Sequence, residues 1–257
     1  MAPGVPPNWD AAISSGYYIT SARGYFSSES QGSSVSETDV GGASGGCGPN
    51  QYSLQLNTNE FKTMVDGYSV EAWEQFFYRN PAACGTGEDG AVFIQYWILN
   101  GQSFFGSNCD VGGVDWTAWE TTGCYTDSIL AETGAPEPAS YIYEMSLSGQ
   151  AYTSGDQATF CFSTNCTASN TSPDYLGLGK QTYWTLSEFN VFGWGGGSEA
   201  EFSNGQSAFS LGVTDSVTAS IHASILCDEY LYSGESNNLL LGSCSSTQFV
   251  MQFSEET

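Results

Sequence analysis

The stretch GAVFIQYWIL, residues 90–99, decides how the rest of the chain is read. It is dense in aromatic and β-branched residues and begins at a turn former, as a pleated, packed strand requires. Its period of two sets Gln95 and Trp97 on one face. QYSLQLNT, residues 51–58, has the same character. The cleanest alternation is SVTASIHASIL, residues 216–226. There Val217, Ala219, Ile221, Ala223 and Ile225 share one face, and Thr218, Ser220, His222 and Ser224 the other. His222 therefore reads as a solvent-face residue of a half-buried antiparallel strand.

Glycine and serine clusters punctuate these segments at 41–50, 85–90 and 233–238. No long, capped helical period stands out, and SPDYLGLGKQTYWTL, residues 172–186, is read as holding one short helix. Many short strands with such punctuation predict an all-β fold, a two-sheet antiparallel β-sandwich of jelly-roll type. We expect one domain over 1–257. Residues 1–45 form an N-terminal extension or edge strands, and 104–140 an insertion-like excursion that ends in the loop AETGAPEPAS.

Charge is the outlier. The 257 residues carry 28 acids against Arg23, Lys62, Arg79 and Lys180, a formal net charge of −24. Such a surface has no basic patch to track phosphates, so nucleic acid and anionic membranes are excluded as partners. Low pH suits this composition better than high salt: protonation removes the self-repulsion, and few bases are present to replace it. The eight cysteines are even in number and accompany two glycosylation sequons, at Asn165 and Asn170, which suggests a secreted, oxidised glycoprotein. Proximity suggests the pairs Cys109–Cys124, Cys161–Cys166 and Cys227–Cys244. Metal binding by these cysteines is the weaker reading, since there is no C-x-x-C and His222 is the lone histidine. No apolar run reaches the length of a membrane span. The opening MAPGVPPNWD lacks a secretory leader and reads as the start of a mature chain with an added Met1.

With one histidine, Ser–His–Asp and Cys–His nucleophile systems are disfavoured. Carboxylates remain, and paired carboxylates hydrolyse glycosides, or peptides at acid pH. The Asp-Thr/Ser-Gly triplet of aspartic proteases is absent; SGD at 154–156 and VDG at 65–67 are different arrangements.

SEFNVFG, residues 187–193, followed by AEFSNGQSAFSL, residues 200–211, resembles the C-terminal part of the eqolisin-type glutamic peptidases. LSGQAYTSGDQATFCF, residues 147–162, resembles their Ser-x-Gly-Asp turn and following strand. SVEAWEQFFY, residues 69–78, with VFIQYWILNG, residues 92–101, resembles a strand pair shared with neprosin-like glutamic peptidases. The resemblance runs from Tyr52 to Val213 with gaps. It implies a catalytic Glu188 and a partner on the 69–78 strand, and acid endopeptidase activity on protein or peptide substrates by a monomer without metal or cofactor.

Within SVEAWEQFFY, period two places Glu71, Trp73, Gln75 and Phe77 on one face and Glu74 on the other. Gln75 could donate to an oxyanion; Glu71 would instead share a proton with Glu188. Neighbouring Phe189, Phe192 and Trp194 would desolvate Glu188 and raise its pKa. Gln95, Trp97 and Trp73 are expected along a substrate groove, although core packing suits Trp97 better. Gly195, Gly196 and Gly197 predict a bend after the Glu188 strand, with Glu199 and Glu201 on a solvated return strand. Two other readings stay open: a non-catalytic sandwich that binds carbohydrate or another cell-surface ligand through its tyrosines and tryptophans, and a glycoside hydrolase using Glu120 with a second acid.

Overall fold

The computed structural model describes residues 12–14, 18–26, 34–39, 50–81, 83, 89–179, 183–203, 224–226, 234–247 and 250–256. Strands are numbered β1–β19 along the chain. The largest sheet runs β16 (Ser224–Leu226), β1 (Ala12–Ser14), β14 (Leu186–Phe192), β4 (Tyr52–Thr58), β6 (Tyr68–Asn80), β7 (Ala91–Ile98), β9 (Gly123–Asp127), β8 (Thr117–Trp119). β5 (Phe61–Val65) pairs with β6, and β10 (Ala131–Glu132) with β7. A second sheet runs β13 (Asn165–Ser172), β12 (Gly155–Phe162), β11 (Met145–Tyr152), β2 (Ser21–Tyr25). Smaller sheets join β3 (Ser34–Asp39), β15 (Ser198–Ser203) and β17 (Ser236–Asn237), and β18 (Leu240–Thr247) with β19 (Val250–Glu256).

The expected antiparallel β-sandwich is what the chain forms, because the four-stranded sheet covers one face of the large one. Alternation along each central strand supplies that face: Leu54 and Leu56, Phe76 and Tyr78, Val92 and Ile94, Phe189 and Val191 are buried. The sheets meet where two glycines give way to aromatic rings. A Cβ on Gly24 of β2 would fall 2.0 Å from the Phe189 ring, and one on Gly149 of β11 would fall 2.4 Å from that of Phe76. Tyr78 stacks on Phe160 of β12 with centroids 3.9 Å apart, and Phe76 on Trp184 at 5.6 Å.

Cys109–Cys124 and Cys161–Cys166 are bonded as proximity suggested; Cys227 lies outside the described residues, as do His222 and Lys180. The helix expected in 172–186 is absent from its described part. Ser172 ends β13, and 173–179 form bends and turns in which Leu176 and Leu178 are buried. Helical geometry occurs instead at α1 (Gln102–Phe105) and in a 3₁₀ segment, Ala139–Glu144. The 104–140 segment is no mere excursion, for β8, β9 and β10 all pair into the large sheet. The triglycine bend is present: Gly195, Gly196 and Gly197 have φ of 153°, 67° and 84°, values that L residues with a Cβ avoid. The return strand β15 pairs with β3 and β17 rather than β14, and its Glu199 and Glu201 are half-buried, not freely solvated. Of the two sequon asparagines, Asn165 is exposed, whereas Asn170 is buried and donates to the carbonyl of Ile129.

Candidate functional site

The face of the large sheet turned away from the second sheet carries the polar positions of the central strands. Antiparallel register lines up Glu188 (β14), Asn57 (β4), Gln75 (β6), Gln95 (β7) and Asp127 (β9) in one cross-strand row. Each neighbouring strand adds one hydrogen-bonding side chain, and the row is knit together. Asn57 Nδ2 donates to Glu188 Oε2 at 2.7 Å. Gln75 Nε2 donates to Asn57 Oδ1 at 3.1 Å and to Gln55 Oε1 at 3.0 Å. At the other end Gln95 Nε2 donates to Asp127 Oδ1 at 2.8 Å. The Trp97 indole joins the halves by donating to Gln75 Oε1 at 3.0 Å and Gln95 Oε1 at 2.8 Å.

An aromatic shelf flanks the row one register position away, where Trp73, Trp97 and Tyr125 are cross-strand neighbours. Trp97 stacks on Tyr125 with centroids 5.0 Å apart, and Trp119 meets both edge-on at 5.7 and 6.0 Å. On the opposite flank Phe77 stacks on Phe93 at 4.9 Å, and the Arg79 guanidinium lies over Phe93 and Trp194 at 5.2 and 4.6 Å. The face is unevenly open. Glu188, Asn57, Gln75 and Trp73 are buried, Gln95, Trp97 and Tyr125 half-buried, and Asp127 and Trp119 exposed.

The structure thus brings together Glu188, Gln75, Gln95, Trp97 and Trp73, all expected at a site, and leaves out Glu71. Glu71 is exposed four residues along β6 from Gln75, about 13 Å at strand rise, so it forms no carboxyl pair with Glu188. Trp97 belongs to this face and not to the core. Phe189 does not desolvate Glu188, because period two turns it to the sandwich interior against Gly24; Phe192 shares the Glu188 face. Glu120 is exposed in the turn between β8 and β9, at φ 49°. Asn57, Asp127, Tyr125 and Trp119 were not expected as site residues. The signal for Asn57 was its shared parity with Ser53 and Gln55, the polar face of an alternating strand.

Although Asp127 is exposed as a residue, the protein around its carboxyl strips enough water to push it above the ordinary range, and the Gln95 hydrogen bond and the Arg79 charge oppose that. Burial likewise raises Glu137 and Glu199, assisted by Glu144 and Glu201 respectively. A carboxyl that binds its proton more tightly when folded stabilises the fold below the unfolded pKa, and that stability fades as pH rises through the folded value. The melting temperature should accordingly be higher at about pH 4 than at about pH 7 in chelator-treated protein; a flat or rising profile would refute this.

No family model matches the chain, and no curated protein matches it. Among solved structures a likeness is found to the β-porphyranase of the human gut bacterium Bacteroides plebeius. It is 9% identical with a TM-score of 0.29 and covers 68% of this chain and 53% of the other, so the match spans about half of the porphyranase chain. A likeness this slight says nothing of chemistry. The expectation of a glutamic endopeptidase does not hold, and the geometry of the site is what overturns it. Both amide hydrogens of Gln75 are engaged by Gln55 and Asn57, which leaves none for an oxyanion, and Glu188 is fully buried.

Proposed function

We propose that this chain is an extracellular, non-catalytic β-sandwich that binds carbohydrate through the open half of its polar face. The observation that supports it most is the pairing of a hydrogen-bonding row, Gln95 and Asp127, with the aromatic shelf of Trp97, Tyr125 and Trp119. A sugar ring presents hydroxyls at its rim and C–H groups on its faces. Amides donate and accept, a carboxylate accepts, and an amphipathic ring covers an apolar face at low entropic cost. The disulfides agree with an oxidising, extracellular setting. No helix among the described residues is long and apolar enough to cross a membrane.

A glycan array, followed by calorimetry on the best ligand, tests the reading. Trp97→Ala should weaken binding by roughly 30-fold or more, the loss typical of a buried aromatic anchor, while the glycan stays uncleaved. The reading fails if no glycan binds above background, or if Trp97→Ala and Trp119→Ala bind as well as the parent.

A further inference from the structure

On the opposite face of β6, Glu74 lies inside the sandwich with no exposed surface, and neither of its carboxylate oxygens has a hydrogen-bond partner. Two more acids converge on it from elsewhere. Asp156 is the second residue of β12 in the second sheet, and Asp174 follows β13. One oxygen from each of the three lies within 4.8 Å of the others. The Tyr96 hydroxyl is part of the group, 3.3 Å from Asp156 Oδ2 and 3.2 Å from the Pro173 carbonyl oxygen.

We propose that Glu74, Asp156 and Asp174 form a binding site for a divalent cation, calcium by preference, which clips the two sheets together. Carboxylates do not gather in a dry interior without compensation, since each costs several kcal/mol to desolvate and the three repel. A cation supplies that compensation. Two oxygens bound to one calcium at about 2.3–2.6 Å can be at most about 5 Å apart, and the cluster meets this limit. The donor set is oxygen only, which selects a hard cation over zinc or copper. Three carboxylates, with the Pro173 carbonyl and Tyr96 hydroxyl at hand, approach the larger, flexible shell of calcium better than the strict octahedron of magnesium. Asp174 is half-buried and provides the way in. Burial, and then the charges of Asp156 and Asp174, push Glu74 well above the usual carboxylate range, the strain a cation would relieve. A cation here departs from the metal-free chain that the glutamic-peptidase resemblance implied, and it needs neither the thiolates nor the lone histidine that the cysteine spacing disfavoured as ligands.

The test uses the full chain, stripped with a chelator and dialysed. Calcium at about a hundredfold over its Kd should raise the melting temperature by on the order of 5 °C or more. Terbium, a calcium surrogate, should bind one tight site and luminesce when tyrosine is excited. Glu74→Gln removes a ligand but also a buried charge. It should therefore melt above the calcium-free parent, ignore calcium, and lose terbium affinity at least tenfold. Glu71→Gln, on the exposed face of the same strand, should leave the calcium response intact. The proposal is overturned if calcium does not move the parent's melting temperature, as a proton-sharing carboxyl cluster would behave. It is equally overturned if Glu71→Gln weakens terbium as much as Glu74→Gln, which would mean diffuse binding to an acidic surface.

Discussion

Phe76→Ala should destabilise the fold by about 3–5 kcal/mol, the range for removing a buried aromatic ring. The ring is fully buried, stacks on Trp184, and fills the space that the missing side chain of Gly149 leaves open. Gly149→Ala should cost about 1–3 kcal/mol in its own right, because its methyl enters an occupied volume. The informative variant carries both changes. With the ring gone the added methyl meets a cavity instead of a clash, so the double variant should be more stable than the sum of the singles by about 1 kcal/mol or more. Urea denaturation of the four proteins closes the cycle. Strict additivity would show that the second sheet does not rest on Phe76.

Asn57→Leu should cost about 3–5 kcal/mol. The substitution nearly conserves shape, removes the 2.7 Å hydrogen bond to Glu188, and takes one acceptor from Gln75. A hydrogen bond to a charged group contributes about 1.5–3 kcal/mol, and a buried donor left unsatisfied costs about 1–3 kcal/mol more. Adding Glu188→Leu should recover part of the loss, since two apolar neighbours no longer demand partners. An Asn57→Leu protein with the parent's denaturation midpoint would mean that the polar row contributes nothing to stability.

The strands were legible because period two does not depend on partners. It set Gln75 against Glu74 within SVEAWEQFFY, and Gln95 with Trp97 within GAVFIQYWIL. What it could not tell is which of the two faces becomes interior, since both alternating sets here mix polar and aromatic residues. Trp97 consequently suited the core by size, and Glu74 was set on the face opposite Gln75 with nothing to mark that face as the interior. Pairing between distant strands was also beyond reach. Asn57 stands beside Glu188 although 131 positions separate them, and Asp156 and Asp174 reach Glu74 only because one sheet lies over another. The SGD triplet that contains Asp156 was dismissed on local pattern, whereas its meaning comes from what faces it. The helix expected in 172–186 gave way to turns that seat Leu176 and Leu178 in the core, a case of tertiary packing outweighing a local pattern.

Cys109–Cys124 closes a loop with a sequence separation of 15, which by chain entropy is worth about 3 kcal/mol. Its second sulfur sits on β9, one residue before Tyr125, and Trp119 lies on β8, which pairs with β9 at the rim of the sheet. Reduction would release that rim from its tether and leave two thiols buried at its root. A ligand held by the aromatic shelf, as proposed, would therefore lose part of its support where thiols are reduced, which makes binding at this face depend on compartment as well as on ligand.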